Sequence, residues 1–350
     1  MASAVPKPFI GSAAAARLRQ ARVRKRPNTG WIEPQQLKTR LACARSIPEI
    51  LETRRRFKDE IELSHLPVAW ARLSRLGRAR TEREWLSDNY ELLAPLVEHT
   101  RSLLENEMPT PWAHAMIAKA IAGTGLVLHV DTTEWRQLWD IIEYRAVEIL
   151  DVSQPSEYAL LAWAMVEANH PASEYLRLAA LHLCRALKPE ANTRPWRAAL
   201  PGRRSGLPSV VPIRDLALFA DAFTRGGSPS KDNDGVLVSI ANAATRRVAE
   251  TKPPHLVRLL RCYSPIEAGC HVCPGERTLA RAARELRLAR DALLLSVAHD
   301  LGQRPHTLKP QELAETIFLY AEATAKVSET CQMTTGDDKK CNRGTFSGTG

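Results

Sequence analysis

The chain has no long apolar run. Its richest stretch, Tyr158 to Val166 (YALLAWAMV), is about half of the ~20 residues that a membrane-spanning helix needs, so no membrane partner is expected. Aromatic residues make up only 6% of 350 residues, and Ala, Leu and Arg are plentiful, a balance that favours helix over strand. Gly125 to Val130 (GLVLHV) is the single short strand candidate. Seven cysteines are too few and too scattered to staple a chain of this length. Catalytic signatures are missing as well. There is no phosphate-cradling G-x-x-x-x-G-K-[ST], no dinucleotide glycine fingerprint, no H-E-x-x-H and no G-x-S-x-G. His299 and Asp300 are adjacent, but neighbours on a helix point apart. Neither an enzyme nor a cofactor is expected.

Acid residues are absent before Glu33. Residues 1 to 80 hold 18 Lys+Arg against 6 Asp+Glu, a balance of +12 that leaves the rest of the chain at −2 of the total +10. A basic end on a neutral body points to a polyanion partner or a targeting sequence. Residues 1–32 form the basic extension, rich in Ala and Arg. Two readings fit it: a mitochondrial or plastid transit peptide, or an arm that stays and neutralises phosphate.

Prolines punctuate the chain beyond this extension. Pro111, Pro155, Pro253 and Pro310 each open an apolar helical stretch, as a residue without a free N–H should. Four residues on stand Ala115, Ala159, Val257 and Ala314; nine on stand Ala120, Ala164, Cys262 and Leu319. Weaker copies end at Gly77 and Gly227, and Gly77, Gly123 and Gly226 occupy expected helix C-caps. Longer, more charged amphipathic stretches precede these helices: Thr81 to Glu105, which Pro95 should break, Asp131 to Leu150, Gly235 to Glu250, and Glu276 to Gly302. A charged helix, a short turn and a proline-headed helix thus alternate five or six times. The spacing is uneven, and the Pro/Gly/Arg-rich loop 188–209 accounts for part of that. The expected fold is all-α: an α-solenoid of helical-hairpin repeats over 33–324, with a disordered polar tail at 325–350. In the last hairpin, Leu313, Ile317 and Tyr320 beside Ala314, Phe318 and Ala321 should pack on helices of their own unit and the one before.

The last copy, PQELAETIFLYAEA, resembles the second helix of octotricopeptide repeats through Pro310, Glu312, Leu313, Ala314 and Phe318. Pro155, Ala159 and Trp163 match in an earlier copy, with Tyr158 in place of the leucine. Related arrays are the heptatricopeptide and FAST-kinase-like proteins of mitochondria and plastids. The resemblance covers residues 60 to 324 loosely and implies RNA binding in an organelle. It carries no base-reading residues over to this chain, whose repeat length varies and which shows no RAP-type domain after the last copy.

The candidate phosphate contacts are arginines and lysines. In the extension they are Arg17, Arg19, Arg22, Arg24, Lys25 and Arg26. Two clusters come next on consecutive helices: Arg54, Arg55, Arg56 and Lys58, then Arg72, Arg75, Arg78 and Arg80. The central loop adds Arg194, Arg197, Arg203 and Arg204, with Trp196 placed to stack on an unpaired base. Arg277, Arg281, Arg284, Arg287 and Arg290 drift around their helix among acids and read as a solvated face. Trp70, Trp112, Trp135, Trp139 and Trp163 read as core. Cys262, Cys270, His271 and Cys273 offer zinc-type donors, but no second ligand pair stands at regular spacing, and Cys262 sits at a packing position. No metal is assigned.

The expected function is non-catalytic: RNA binding by a component of a mitochondrial ribosome or similar ribonucleoprotein, in contact with rRNA and neighbouring subunits. A plastid is the alternative compartment. A protein–protein scaffold and a free organellar RNA processing or stability factor are the alternative roles.

Overall fold

A computed structural model describes residues 32–126, 132–187, 211–226, 231–264 and 277–321. Most of the strand candidate, the basic extension except Ile32, the whole of the Arg-rich loop and the C-terminal residues from 322 lie outside these ranges. Among the described residues the chain is entirely helical, with no strand. No helix there is long and apolar enough to cross a membrane.

The helices run in order α1 (Pro34–Cys43), α2 (Ile47–Arg56), α3 (Leu66–Leu76), α4 (Arg80–Asp88), α5 (Ala94–Asn106), α6 (Pro111–Ala122), α7 (Thr133–Ile149), α8 (Pro155–Glu167), α9 (Ser173–Leu187), α10 (Ile213–Gly226), α11 (Lys231–Thr245), α12 (Pro253–Tyr263), α13 (Arg277–Gln303) and α14 (310–321). Proline occupies the first or second position of α1, α2, α3, α5, α6, α8 and α12. Its missing donor costs nothing there. Pro95 does break its stretch: α4 ends at Asp88, a 3₁₀ turn covers Tyr90–Leu93, and Pro95 sits in the first turn of α5. Two of the proline-headed helices share one cap. Glu157 Oε2 accepts the N–H of Gln154 at 2.6 Å, and Glu312 Oε2 accepts that of Lys309 at 3.0 Å. In both, a Glu two residues past the proline satisfies the donor just before it.

Packing sorts the helices into two rows. Helices α3, α6, α8, α10 and α12 pack each on the one before, and α5, α7, α9, α11 and α13 do the same alongside them. Helix α1 packs on α3. The sequence pattern shows no charged helix between Pro155 and Pro212; α9 fills that place and restores the alternation. The proline row is lined with small residues: Ala115, Ala118 and Ala120 on α6, Ala159, Ala162 and Ala164 on α8, and Ala217, Ala220 and Ala222 on α10 are all buried. Small side chains let helix axes approach closely, and dense contact then compensates for modest area per residue. Larger residues fill the space between the rows. Trp70 sits edge-on to Trp135 at 6.1 Å and 67°, and its indole N–H donates to Thr100 Oγ1 at 3.0 Å.

Two features show the repeat-like character in bonds. Tyr263 donates its hydroxyl to Leu237 O at 2.7 Å, and Tyr320 donates to Leu294 O at 2.6 Å. Each tyrosine lies ten residues past its opening proline and reaches the charged helix 26 residues back. Arginines also hold backbone carbonyls at helix ends and in the connections between helices. Arg72 donates to Ala44 O (2.7 Å), Arg145 to Leu104 O (2.8 Å) and Glu105 O (2.6 Å), Arg247 to Val211 O (2.6 Å) and Arg304 to Thr251 O (2.8 Å). Terminal carbonyls lack intrahelical partners, and a guanidinium supplies several donors to one of them. Part of the arginine content is therefore architectural.

Three expectations need correction. Gly77 and Gly123 do sit at C-caps, but with φ of −62° and −69° rather than the left-handed geometry. Space explains Gly123 better: a Cβ there would stand 2.8 Å from Ser74 Oγ. Arg290 is buried on α13 and not part of a solvated face. Most importantly, α14 docks through Thr316, Leu319 and Tyr320 and not through Leu313, Ile317 and Phe318. Leu319 and Thr316 are buried, whereas Leu313, Ile317 and Phe318 are 38%, 61% and 66% exposed. The helix is held to α12 by Arg261 and Glu315 (Nε to Oε1, 2.8 Å) and by Ser264 Oγ donating to Leu319 O at 3.3 Å.

Candidate nucleic-acid interface

Helices α6 and α8 of the proline row are apolar almost all round, and most of their surface is covered by neighbours. One narrow stripe remains uncovered. On α6 it carries Trp112, Met116 and Lys119, and on α8 Ser156, Leu160 and Trp163; these are positions one, five and eight past each opening proline. Helix α10 adds Arg214 and Leu218, and α12 adds His255 and Arg258. Side by side, these stripes line a groove of about 660 Å³ that runs across four successive helices.

Its chemistry is aromatic and basic. Trp112 is 58% exposed, and Trp163 is half-buried beside the groove. Both were expected in the core; the core tryptophans are Trp70, Trp135 and Trp139. Trp112 escapes because it sits in the first turn of α6, on the one side that no neighbouring helix covers. Lys119 and Arg258 have no carboxylate partner among the described residues. Arg214 donates from Nε to Asp215 Oδ1 at 3.0 Å. Asp215 is fully buried, Oδ2 has no partner, and burial raises its carboxyl above the usual range. Burial, and then the positive charges of Arg214, Arg258 and Lys252, hold the His255 imidazole below its ordinary value. Glu157 is the acid on the rim, and its carboxylate is already committed to the α8 cap.

The groove therefore presents cationic groups and indole faces to one volume. Guanidinium and ammonium groups take phosphate oxygens, and an indole face takes any unpaired base.

The arginines singled out in the sequence are placed elsewhere. Arg55 pairs with Glu52 (2.7 Å) and Arg80 with Glu84 (2.7 Å), both on exposed surface. Arg56 lies over the Phe57 ring at 5.4 Å. Lys58, Arg75 and Arg78 are exposed, and Arg72 is engaged with Ala44. Arg54 differs. It is half-buried, its Nε lacks a partner, and so does Nδ1 of His99. Burial lowers both groups, and the charge of Arg54 adds to the lowering at His99. Two unsatisfied nitrogens thus lie close together on α2 and α5. Arg17, Arg19, Arg22, Arg24, Lys25 and Arg26, and the loop residues Arg194, Trp196, Arg197, Arg203 and Arg204, lie outside the described residues.

Cys262 is buried, and burial pushes its thiol up to about 12, far from the thiolate that a metal requires. Cys270, His271 and Cys273 lie outside the described residues.

A signal for the groove was present in the sequence. Reading positions one, five and eight after Pro111, Pro155 and Pro253 collects Trp112, Lys119, Trp163 and Arg258, whereas reading four and nine collects buried residues. No protein-family model matches the chain, and no curated protein matches it.

Proposed function

We propose that this protein is an RNA-binding α-solenoid of helical-hairpin repeats, with single-stranded RNA lying along the groove of the proline row. The observation that carries this reading is the convergence of Trp112 and Trp163 with Lys119, Arg214 and Arg258 on one groove spanning four helices. Stacked arrays offer long continuous surfaces, and aromatic faces beside cations suit unstacked bases on a phosphate backbone. The Arg54–Lys58 cluster and the acid-free extension supply positive charge beyond the groove. The octotricopeptide-like residues Pro310, Glu312, Leu313, Ala314 and Phe318 point to the same class of partner. Membership of an organellar ribonucleoprotein, with a mitochondrial ribosome as the leading choice, is the more specific form of the proposal. It rests on the composition of the extension and the near-neutral body.

The test is binding of a fluorescent, unstructured RNA oligonucleotide to the full chain. Trp112→Ala should weaken it by about 10- to 100-fold, the range for one stacked base, and leave the thermal transition in place because the indole is largely exposed. Three groove cations predict a slope near −2 in log affinity against log salt, from about −0.7 per phosphate contact on a single strand. Binding that ignores salt and survives Trp112→Ala favours the scaffold reading. Co-sedimentation with organellar ribosomes tests the more specific form.

A further inference from the structure

We infer that the C-terminal end of the array is a self-association surface, and that its occupant is the same end of a second copy, related by a two-fold axis. This goes beyond the RNA reading and does not depend on it.

In each interior helix of the proline row, positions three, four and seven past the first residue lie on faces that neighbouring helices cover. On α6 these are His114, Ala115 and Ala118; on α8, Tyr158, Ala159 and Ala162. On α10 they are Leu216, Ala217 and Ala220; on α12, Leu256, Val257 and Leu260. All twelve are buried. On α14 the same positions are Leu313, Ala314 and Ile317, and all three are exposed. They are apolar, so the stacking face is built, but no described helix covers it. The companion helix α13 adds Leu288 and Leu295, 61% and 73% exposed and seven residues apart on one stripe.

Two considerations select a second copy. The opposite end of the array is closed by α1, whose outward residues are Gln35, Gln36, Thr39 and Arg40. Head-to-tail stacking would bury that polar face against leucines, so growth into a filament is disfavoured and a closed, isologous pair is favoured. The area also fits. Leu288, Leu295, Leu313, Ile317 and Phe318, at roughly 100 Å² each, supply on the order of 500 Å² of apolar surface. A standard interface takes about 800 Å² per partner, of which some 60% is apolar.

The test is the solution mass of the full chain across a concentration series, by light scattering or sedimentation. A dimer of the 39.0 kDa chain is expected, and Ile317→Glu should raise its dissociation constant at least ~100-fold, because each dimer then buries two unpaired charges. Leu295→Glu, on the other helix of the hairpin, should do the same, which covers the case in which one variant folds poorly; helical circular dichroism reports that separately. Hydrogen exchange across α14 should slow as concentration rises. A wild-type chain that stays monomeric to ~100 µM overturns the inference, and so does a dimer that both substitutions leave intact.

Discussion

Helices α8 and α14 open alike. Each begins with proline, each caps itself with the Glu two residues later, and each carries alanine at the fourth position past the proline. Yet Ala159 on α8 is fully buried, while Ala314 on α14 is exposed. The difference lies in what surrounds each helix: α8 is covered by α6 on one side and α10 on the other, whereas α14 has α12 on one side and no described helix on the other. Apolar periodicity records the faces that a helix is able to bury. Whether a neighbour arrives is a property of the array.

The strongest way to break that contrast is a matched pair of substitutions. Ala159→Asp places an unpaired carboxylate between two packed helices and should cost about 3–5 kcal/mol. Ala314→Asp, in solution dilute enough to exclude association, should change stability by no more than about 0.5 kcal/mol. Urea unfolding monitored by circular dichroism measures both. Equal costs would mean that the end of the array is covered after all.

Acid separates interior from end in a second way. His114 is fully buried between α6 and α7, with Nε2 hydrogen-bonded to Ile142 O at 2.8 Å and no partner for Nδ1. Burial drives its imidazole down to about 4. Between the ordinary value near 6.5 and that lower one, the unfolded chain binds a proton that the folded chain refuses. Stability attributable to this residue is therefore complete above about pH 6.5 and falls as the pH drops towards 4. The slope is about 1.4 kcal/mol per unit, for a total near 3 kcal/mol. His114→Leu should remove one proton from the pH dependence of unfolding over that window. An unchanged dependence would show that His114 already reaches water.

The all-helical class, the proline starts, the break at Pro95 and the core role of Cys262 were legible in the sequence because each rests on local chemistry. The sequence reading assigns no helix to Ser173–Leu187, although its apolar residues Leu176, Ala179, Ala180 and Leu183 recur at helical spacing and are buried in α9. Trp112 and Trp163 were misplaced for a reason of their own. A helix apolar on nearly every side gives no periodic hint of which narrow stripe its neighbours leave open. That stripe emerges only once α6, α8, α10 and α12 lie side by side. The arginines pose the converse problem. The sequence marks Arg72 as a phosphate contact, but Arg72, like Arg145, Arg247 and Arg304, donates to backbone carbonyls that only the packing brings near.

The finest comparison uses two glycines. A Cβ on Gly226, at the end of α10, would lie 2.3 Å from Val166 Cγ2 on α8, whereas one on Gly302, in the last turn of α13, would meet nothing within 4 Å. Valine has little rotamer freedom on a helix, so α10 must shift, and Gly226→Ala should cost about 1–3 kcal/mol by overpacking. Pairing it with Val166→Ala should recover much of that, because the second change removes the atoms in conflict; non-additivity of the pair isolates the contact. Gly302→Ala removes backbone freedom from the unfolded chain without a clash and should stabilise by about 0.5–1 kcal/mol. Opposite signs in the urea midpoint at constant slope would establish that the interior of the proline row has no slack, while the final hairpin still has room to accept mass. A gain at Gly226 equal to that at Gly302 would mean that α8 and α10 yield to each other, and the close approach of alanine-lined helices would no longer explain why that row holds together.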